Sequence, residues 1–270
     1  MDPCAPIAVF DSGVGGLTVV SALRRALPGE NILYLGDTAR VPYGGKSRET
    51  IERYSEEITR WLLAQGAKMI VVACNSASAL ALPRLRDRLD VPVEGVIEPG
   101  VAAALEATRC GHVAVIGTKA TIGSGVYEAG LRARRSSVRV TVSACPLLVP
   151  LIEEGLLEDP VTDAVLERYL GPLRAAGVDT LVLGCTHYPL LAPAIARVAG
   201  PEICLVDSAA HVAAAVKRRL EASGSCASAG AVGSLRLVFT DPPDRFLQVA
   251  GGVLGLASAP VEVCAVPPPF

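Results

Sequence analysis

Short runs rich in β-branched residues, each bounded by turn-forming residues, recur along the whole chain at residues 7–10, 31–35, 69–73, 112–116, 138–143, 179–184, 203–206 and 235–240. Between them lie stretches with helical periodicity. In residues 47–65 Ile51, Tyr54, Ile58, Trp61 and Leu62 return at steps of three and four, while Glu52, Arg53, Glu56 and Glu57 fill the opposite face. A chain that alternates strand and helix in this way is committed to an α/β fold with mainly parallel, doubly wound sheets.

A faint internal repeat divides the chain. Residues 69–76 (MIVVACNS) and 180–187 (TLVLGCTH) each read as an apolar strand ending in a small residue, a cysteine and two polar residues. Residues 7–12 (IAVFDS) have a similar echo in residues 113–118 (VAVIGT) at nearly the same offset. Two related halves are the simplest reading. The crossing between them is expected near Pro99 and Gly100, with a return near Ser208, so that residues 1–99 plus 208–270 form one pseudo-symmetric domain and residues 100–207 the other. Ligands of open α/β sheets bind beyond the carboxyl ends of the strands, where all four motifs fall, so the expected site is the cleft between the halves.

Composition narrows what such a cleft serves. The 270 residues are 51% hydrophobic, enough to bury a large core, and the net charge of -2 with scattered arginines leaves no polybasic surface for nucleic acid. The longest apolar stretch, Val249 to Val261, is interrupted by Gly251, Gly252, Gly255 and Pro260 and is too short for a bilayer. No basic segment followed by a long apolar run opens the chain, so the expected compartment is the cytoplasm, where the eight cysteines stay reduced. No CxxC pair occurs and His112, His187 and His211 lack zinc-finger spacing, so no metal is expected.

Five segments carry candidate chemistry. The loop from Asp11 to Thr18 follows a strand and opens a helix, which suits anion binding, yet it lacks the Lys-Ser/Thr pair of a Walker loop and the last glycine of a dinucleotide fingerprint. Asp11 reads equally as an N-cap. Cys74 and Cys185 each end an apolar strand before helix-starting polar residues, a setting expected to lower a thiol pKa. Cys4, Cys110, Cys145, Cys204, Cys226 and Cys264 lack that setting and read as small core residues. His187, two residues beyond Cys185, is either a structural histidine or the base of a thiol-hydrolase pair. Tyr43 and Gly44 lie in a Pro/Gly-rich loop that can bind ligand through main-chain amides or be a plain turn; Glu153 and Glu154 belong to an exposed helix face or to the cleft.

Two strand-end cysteines in two related halves suit one reaction in particular. Inverting a stereocentre by proton transfer needs a base on one face of the α-carbon and an acid on the other. A thiolate and a thiol supply both. Asp11 beside Cys74 and His187 beside Cys185 would set which sulfur carries the proton, and Asn75, Ser76 and Thr186 would offer donors to the substrate carboxylate. The competing route through pyridoxal phosphate needs a Schiff-base lysine; of Lys46, Lys68, Lys119 and Lys217, only Lys119 follows a strand end, without the cofactor's usual anchoring around it.

The segments FDSGVGGL (10–17), GDTARVPYG (36–44), ACNSAS (73–78), GVIEPG (95–100) and LGCTHYPLL (183–191), in this order and spread over nearly the whole chain, resemble the glutamate racemases of the aspartate/glutamate racemase family. The resemblance implies a homodimeric, cytoplasmic enzyme free of cofactor and metal that interconverts L- and D-glutamate for peptidoglycan synthesis. By match to the family motifs it implies that Cys74 takes the proton from D-glutamate and Cys185 from L-glutamate, supported by Asp11, Glu153 and His187. Ser12, Tyr43, Gly44, Asn75, Ser76, Thr118, Thr121 and Thr186 correspond to substrate contacts, with Asp11 and His187. Ser76 stands where the family usually has threonine, which keeps the hydroxyl and loses the methyl that restricts its rotamer. Two rivals stand beside this reading. An aspartate racemase usually carries an acidic residue at the position of His187, and a non-catalytic amino-acid-binding protein would need neither thiol.

Overall fold

The computed structural model describes residues 2–243 and 260–265 and is built on two parallel sheets. The first contains β1 (Ile7–Asp11), β2 (Ile32–Gly36), β3 (Met69–Val72), β4 (Val93–Gly95), β9 (Leu235–Phe239) and β10 (Val261–Val263), in the order β10-β9-β2-β1-β3-β4. The second contains β5 (His112–Gly117), β6 (Arg139–Ala144), β7 (Thr180–Gly184) and β8 (Cys204–Val206), in the order β6-β5-β7-β8. The core order β2-β1-β3-β4 of one sheet is the order β6-β5-β7-β8 of the other. The sequence echo therefore marks a repeated supersecondary unit, and every strand pair among the described residues is parallel, as the alternation of elements requires.

Strands β1, β2, β3, β5 and β7 are buried along their whole length, whereas β6 and β10, at sheet edges, are partly or largely exposed. Two strands escaped the sequence reading. In β4 the three residues Val-Glu-Gly present no apolar run, because Glu94 is buried against Arg219 at 2.9 Å instead of being replaced by an apolar residue. The other, β10, is short and exposed; most of the apolar stretch Val249 to Val261 lies outside the described residues.

On the first sheet run α1 (Leu17–Ala26), α2 (Arg48–Ala64), α3 (Asn75–Leu80) and α4 (Leu82–Arg88); α5 (Ile97–Ala107) leads to the second sheet, followed by α6 (Lys119–Gly123), α7 (Val126–Arg134), α8 (Leu148–Glu153), α9 (Pro160–Ala175) and α10 (Ala192–Ala199). Helix α11 (Ala209–Ala222) packs back on α1. Pro99 and Gly100, where the crossing is expected, lie in the first turn of α5, and Ser208, where the return is expected, is the residue before α11. Helix α2 starts where Ser47 Oγ accepts the Thr50 N–H, and it buries Ile51, Ile58 and Leu62 as the periodicity requires.

Candidate active site

In each sheet the chain runs outward in opposite directions from the adjacent strands β1 and β3, or β5 and β7, to β2 and β4, or β6 and β8, and the gap beyond the carboxyl ends of that pair is the natural ligand crevice. Asp11 ends β1 and Cys74 follows β3; Gly117 ends β5 and Cys185 follows β7. The two crevices face each other across one cavity of about 250 Å³. Ser12, Tyr43, Gly44, Cys74, Asn75, Ser76, Thr118, Glu153, Cys185, Thr186 and His187 all line it. Two of the residues singled out from the sequence stand behind this wall. Asp11 is fully buried, its Oδ2 accepting the Gly13 N–H at 3.1 Å and its Oδ1 lying 3.4 Å from the Thr186 hydroxyl. Thr121 is buried with its hydroxyl 3.0 Å from Thr118 and 3.4 Å from Ser76. Asp11 is not an N-cap, since α1 begins only at Leu17.

The two thiols have different company. Cys74 Sγ lies 3.6 Å from the Ser12 hydroxyl, and the main chain turns from β3 into α3 at this residue. The lowered thiol pKa expected from that position does not hold for Cys74. Burial, joined by the nearby Asp11 carboxylate, pushes its thiol up to about 12, outweighing the Ala77 N–H and Ser12 hydroxyl that favour the thiolate; Cys185 adds to the upward push. A six-residue helix offers too little dipole to reverse the desolvation of a cysteine that is only 5% exposed. Cys185 Sγ stands 3.9 Å from His187 Nδ1, and His187 Nε2 is 3.3 Å from Glu153 Oε1. Burial works against the imidazolium, but contact with Cys185 and Glu153, with the Asp11 charge behind them, outweighs it and raises His187 to about 10. One thiol is thus held protonated and the other sits against a cation.

Hydroxyls join the halves. Ser76 Oγ, from the first sheet's side, meets Thr118 Oγ1, from the second, at 2.9 Å, so the rotamer freedom left by the missing methyl is taken up by this contact. The Tyr43 phenol bonds to Asp37, which also accepts from Arg40 Nε at 2.7 Å and the Thr240 hydroxyl at 3.0 Å. The phenol is therefore committed away from the cavity, which leaves the main chain of Tyr43 and Gly44 as the part of this loop that faces a ligand. Gly15 packs so closely that a Cβ there would stand 2.5 Å from both His187 Nδ1 and Thr186 Oγ1.

Residues 15–216 match the Asp/Glu/Hydantoin racemase family. The chain is 48% identical over 253 residues to the glutamate racemase of Geobacter metallireducens, covering 94% of each protein, and 51% identical over 241 residues to that of Thermus thermophilus, covering 89% of this chain and 90% of the relative. The chain belongs to the glutamate racemase family. Among solved glutamate racemases, that of Thermus thermophilus in complex with β-chloro-D-alanine superposes with a TM-score of 0.87 at 46% identity over 98% of each chain. That of Francisella tularensis in complex with D-glutamate gives 0.90 at 33% identity over 98% of each. The protein is accordingly an amino-acid racemase, an isomerase acting on glutamate.

Several features of this racemase site were missed in the sequence. Val41, Pro42, Pro146, Val149 and Pro150 form an apolar wall of the cavity. Nothing distinguishes such residues from ordinary loop and helix residues until the chain is folded. Lys119, weighed from the sequence only as a Schiff-base lysine, lines the cavity as well and is exposed to solvent. Of the six cysteines read as core residues only Cys145 is buried; Cys4, Cys110 and Cys204 are exposed, and Cys226 and Cys264 are intermediate. Among the described residues no helix is long and apolar enough to cross a membrane.

Proposed function

We propose that this racemase inverts the α-carbon of glutamate by a two-base mechanism in which Cys185, as thiolate, removes the α-proton of L-glutamate and Cys74, as thiol, protonates the opposite face. The observation that carries this reading is the pair of thiols at the ends of equivalent strands, both lining one cavity and each backed by a different titratable neighbour. In the L-to-D direction the C–H bond breaks as the Cys185 S–H bond forms, and the carbanion takes the Cys74 proton as that sulfur becomes the thiolate. The reverse reaction exchanges the roles. His187, cationic near neutrality, offsets negative charge on Cys185 and is itself held by Glu153; Asp11 opposes charge on Cys74 until a substrate ammonium enters beside it. Asn75, Ser76, Thr118, Thr186 and the main chain of Tyr43 and Gly44 supply donors for the two carboxylates, with Ser12 near Cys74 and Thr121 supporting Ser76. The bound D-glutamate of the Francisella tularensis relative supports glutamate as the ligand.

The same reading makes residues 1–99 plus 208–270 and residues 100–207 the two domains that enclose the site. It makes the enzyme a cytoplasmic homodimer that supplies D-glutamate for peptidoglycan, with no cofactor. Reaction in deuterium oxide from ordinary L-glutamate tests the mechanism. Cys74 exchanges with solvent before turnover, so the first D-glutamate formed should carry deuterium while residual L-glutamate stays largely protiated. Substantial protium in early D-glutamate, read by mass spectrometry, would overturn the two-thiol assignment in favour of one base serving both faces. L-Aspartate run in parallel should turn over far more slowly.

A further inference from the structure

Asn75 lies 3% exposed in the cavity wall, and its two polar atoms are in different states. Its Oδ1 accepts a hydrogen bond of 2.8 Å from the hydroxyl of Tyr127, while its Nδ2 is buried with no partner among the described residues. An orphaned amide N–H₂ costs free energy wherever it is buried unless a ligand completes it. Tyr127 belongs to α7, on the second sheet's side, so the bond reaches Asn75 from the opposite half. Tyr127 is 2% exposed and two glycines lie against it: a Cβ on Gly100 would lie 3.3 Å from the phenolic oxygen, and one on Gly184 3.4 Å from a ring carbon.

We propose that Tyr127 is a positioning residue that fixes the Asn75 amide with Oδ1 turned away and Nδ2 presented as a donor to a carboxylate of the substrate. An asparagine amide can turn over and offer either its oxygen or its nitrogen at nearly the same place. Turned the other way, Asn75 would offer a carbonyl oxygen to an anion, and the phenolic proton would lose its one acceptor among the described residues. Burial first, with the Asp207 and Cys185 charges adding, holds the phenol well above its ordinary pKa, so it remains a donor throughout the working range. Tyr127 thereby enforces specificity for an anionic group without touching it. The inference rests on the cavity being the glutamate site, and it assigns the origin of one donor in that site.

Because the Asn75 N–H serves the carboxylate before and after proton transfer alike, its loss should appear in KM more than in kcat. Tyr127→Phe, which deletes one oxygen from a buried ring, should raise KM for L-glutamate roughly tenfold and leave kcat within about threefold. The decisive measurement is the double-mutant cycle with Asn75→Ala, checked by circular dichroism and thermal unfolding, with Asn75→Leu as the alternative if the alanine variant does not fold. If Tyr127 acts through the amide, Tyr127→Phe should change kcat/KM by less than about twofold in the Asn75-less background. A full, multiplying loss in that background, or an unchanged KM for Tyr127→Phe alone, would overturn the inference. An Asn75→Ala enzyme with wild-type kcat/KM would instead overturn the placement of glutamate against Asn75, on which the inference rests.

Discussion

Cys74 and His187 both hold their protons more tightly in the folded chain than in water, for different reasons. For Cys74 the cause is chiefly desolvation; for His187 it is anionic company strong enough to outweigh desolvation. An imidazole raised from about 6.5 in the unfolded chain to about 10 binds more protons folded than unfolded between these values. Its linked stabilisation is therefore full below about pH 6.5 and is lost as pH rises toward 10. His187→Gln should flatten the decline of unfolding free energy between pH 7 and pH 10, measured by urea denaturation across that range. Equal slopes for variant and parent would remove His187 from the account. Cys74, with a folded value of about 12, adds a decline of its own only above about pH 8.5, so the part of the range below that isolates His187. For chemistry, Cys74→Ser and Cys185→Ser should each lower turnover by at least about 100-fold with an unchanged circular-dichroism spectrum, since a hydroxyl is nearly isosteric with a thiol but far less acidic. Near-parental turnover of either folded variant would dismiss that sulfur as a base.

Each half of the cleft is made by an element that ends where its neighbour needs room. The loop from β1 to α1 brings Gly15 against His187 and Thr186 of the opposite half, and Gly44 lies against Thr118 in the same manner, where a Cβ would stand 2.7 Å from the threonine Cβ. These contacts are backbone against side chain, so an added methyl must displace the side chain or part the halves. Gly15→Ala should move the His187 ring and, under the proposed mechanism, lower kcat roughly tenfold or more, because a misplacement of about 1 Å is enough for such a loss. Its secondary structure should remain that of the parent. Gly44→Ala should act on KM for glutamate, since Thr118 and the Gly44 main chain both face the substrate cavity. Steady-state kinetics on the two variants would separate them; parental constants for both would show the halves to be less tightly apposed.

The molecule is held together far from the cleft by a buried ion pair. Lys68, at the entrance to β3, lies 2.6 Å from Glu30 Oε2 and donates to the carbonyls of Pro3 at 2.7 Å and Ser225 at 2.8 Å; Glu30 Oε1 accepts the Ala227 N–H at 2.7 Å. One cation thus ties the start of the chain, the turn between α1 and β2 and the segment after α11 to the amino end of β3. Both side chains are at most 2% exposed, so removing one leaves the other charged and unsolvated. Lys68→Met should cost about 3 kcal/mol of stability in chemical denaturation while leaving kcat per folded molecule unchanged. A loss under about 1 kcal/mol would mean that water or another side chain takes the place of the ammonium.

Periodicity and strand-end chemistry are local properties, and what depends on them was readable in the chain by itself: the α/β class, the parallel sheets, the repeat of supersecondary order, α2 and the glutamate racemase motifs. The eight expected strands recur within a residue or so of their observed limits because apolar runs are written in adjacent residues. What depends on residues far apart was decided only by folding. Glu94 in β4 breaks the apolar pattern and is tolerated because Arg219, on α11, comes to meet it. The helix-start position of Cys74 predicts an acidic thiol, but burial and the Asp11 carboxylate from another strand decide the opposite. Glu153 could not be told from its exposed neighbour Glu154 until α8 brought it to His187. Tyr127 carries no motif at all; its part in the site exists only because α7 of one half delivers a phenol to an amide of the other. Backbone propensity and hydrophobic period act over a few residues, whereas desolvation and hydrogen-bond partnership are settled by whatever the whole fold packs around a group.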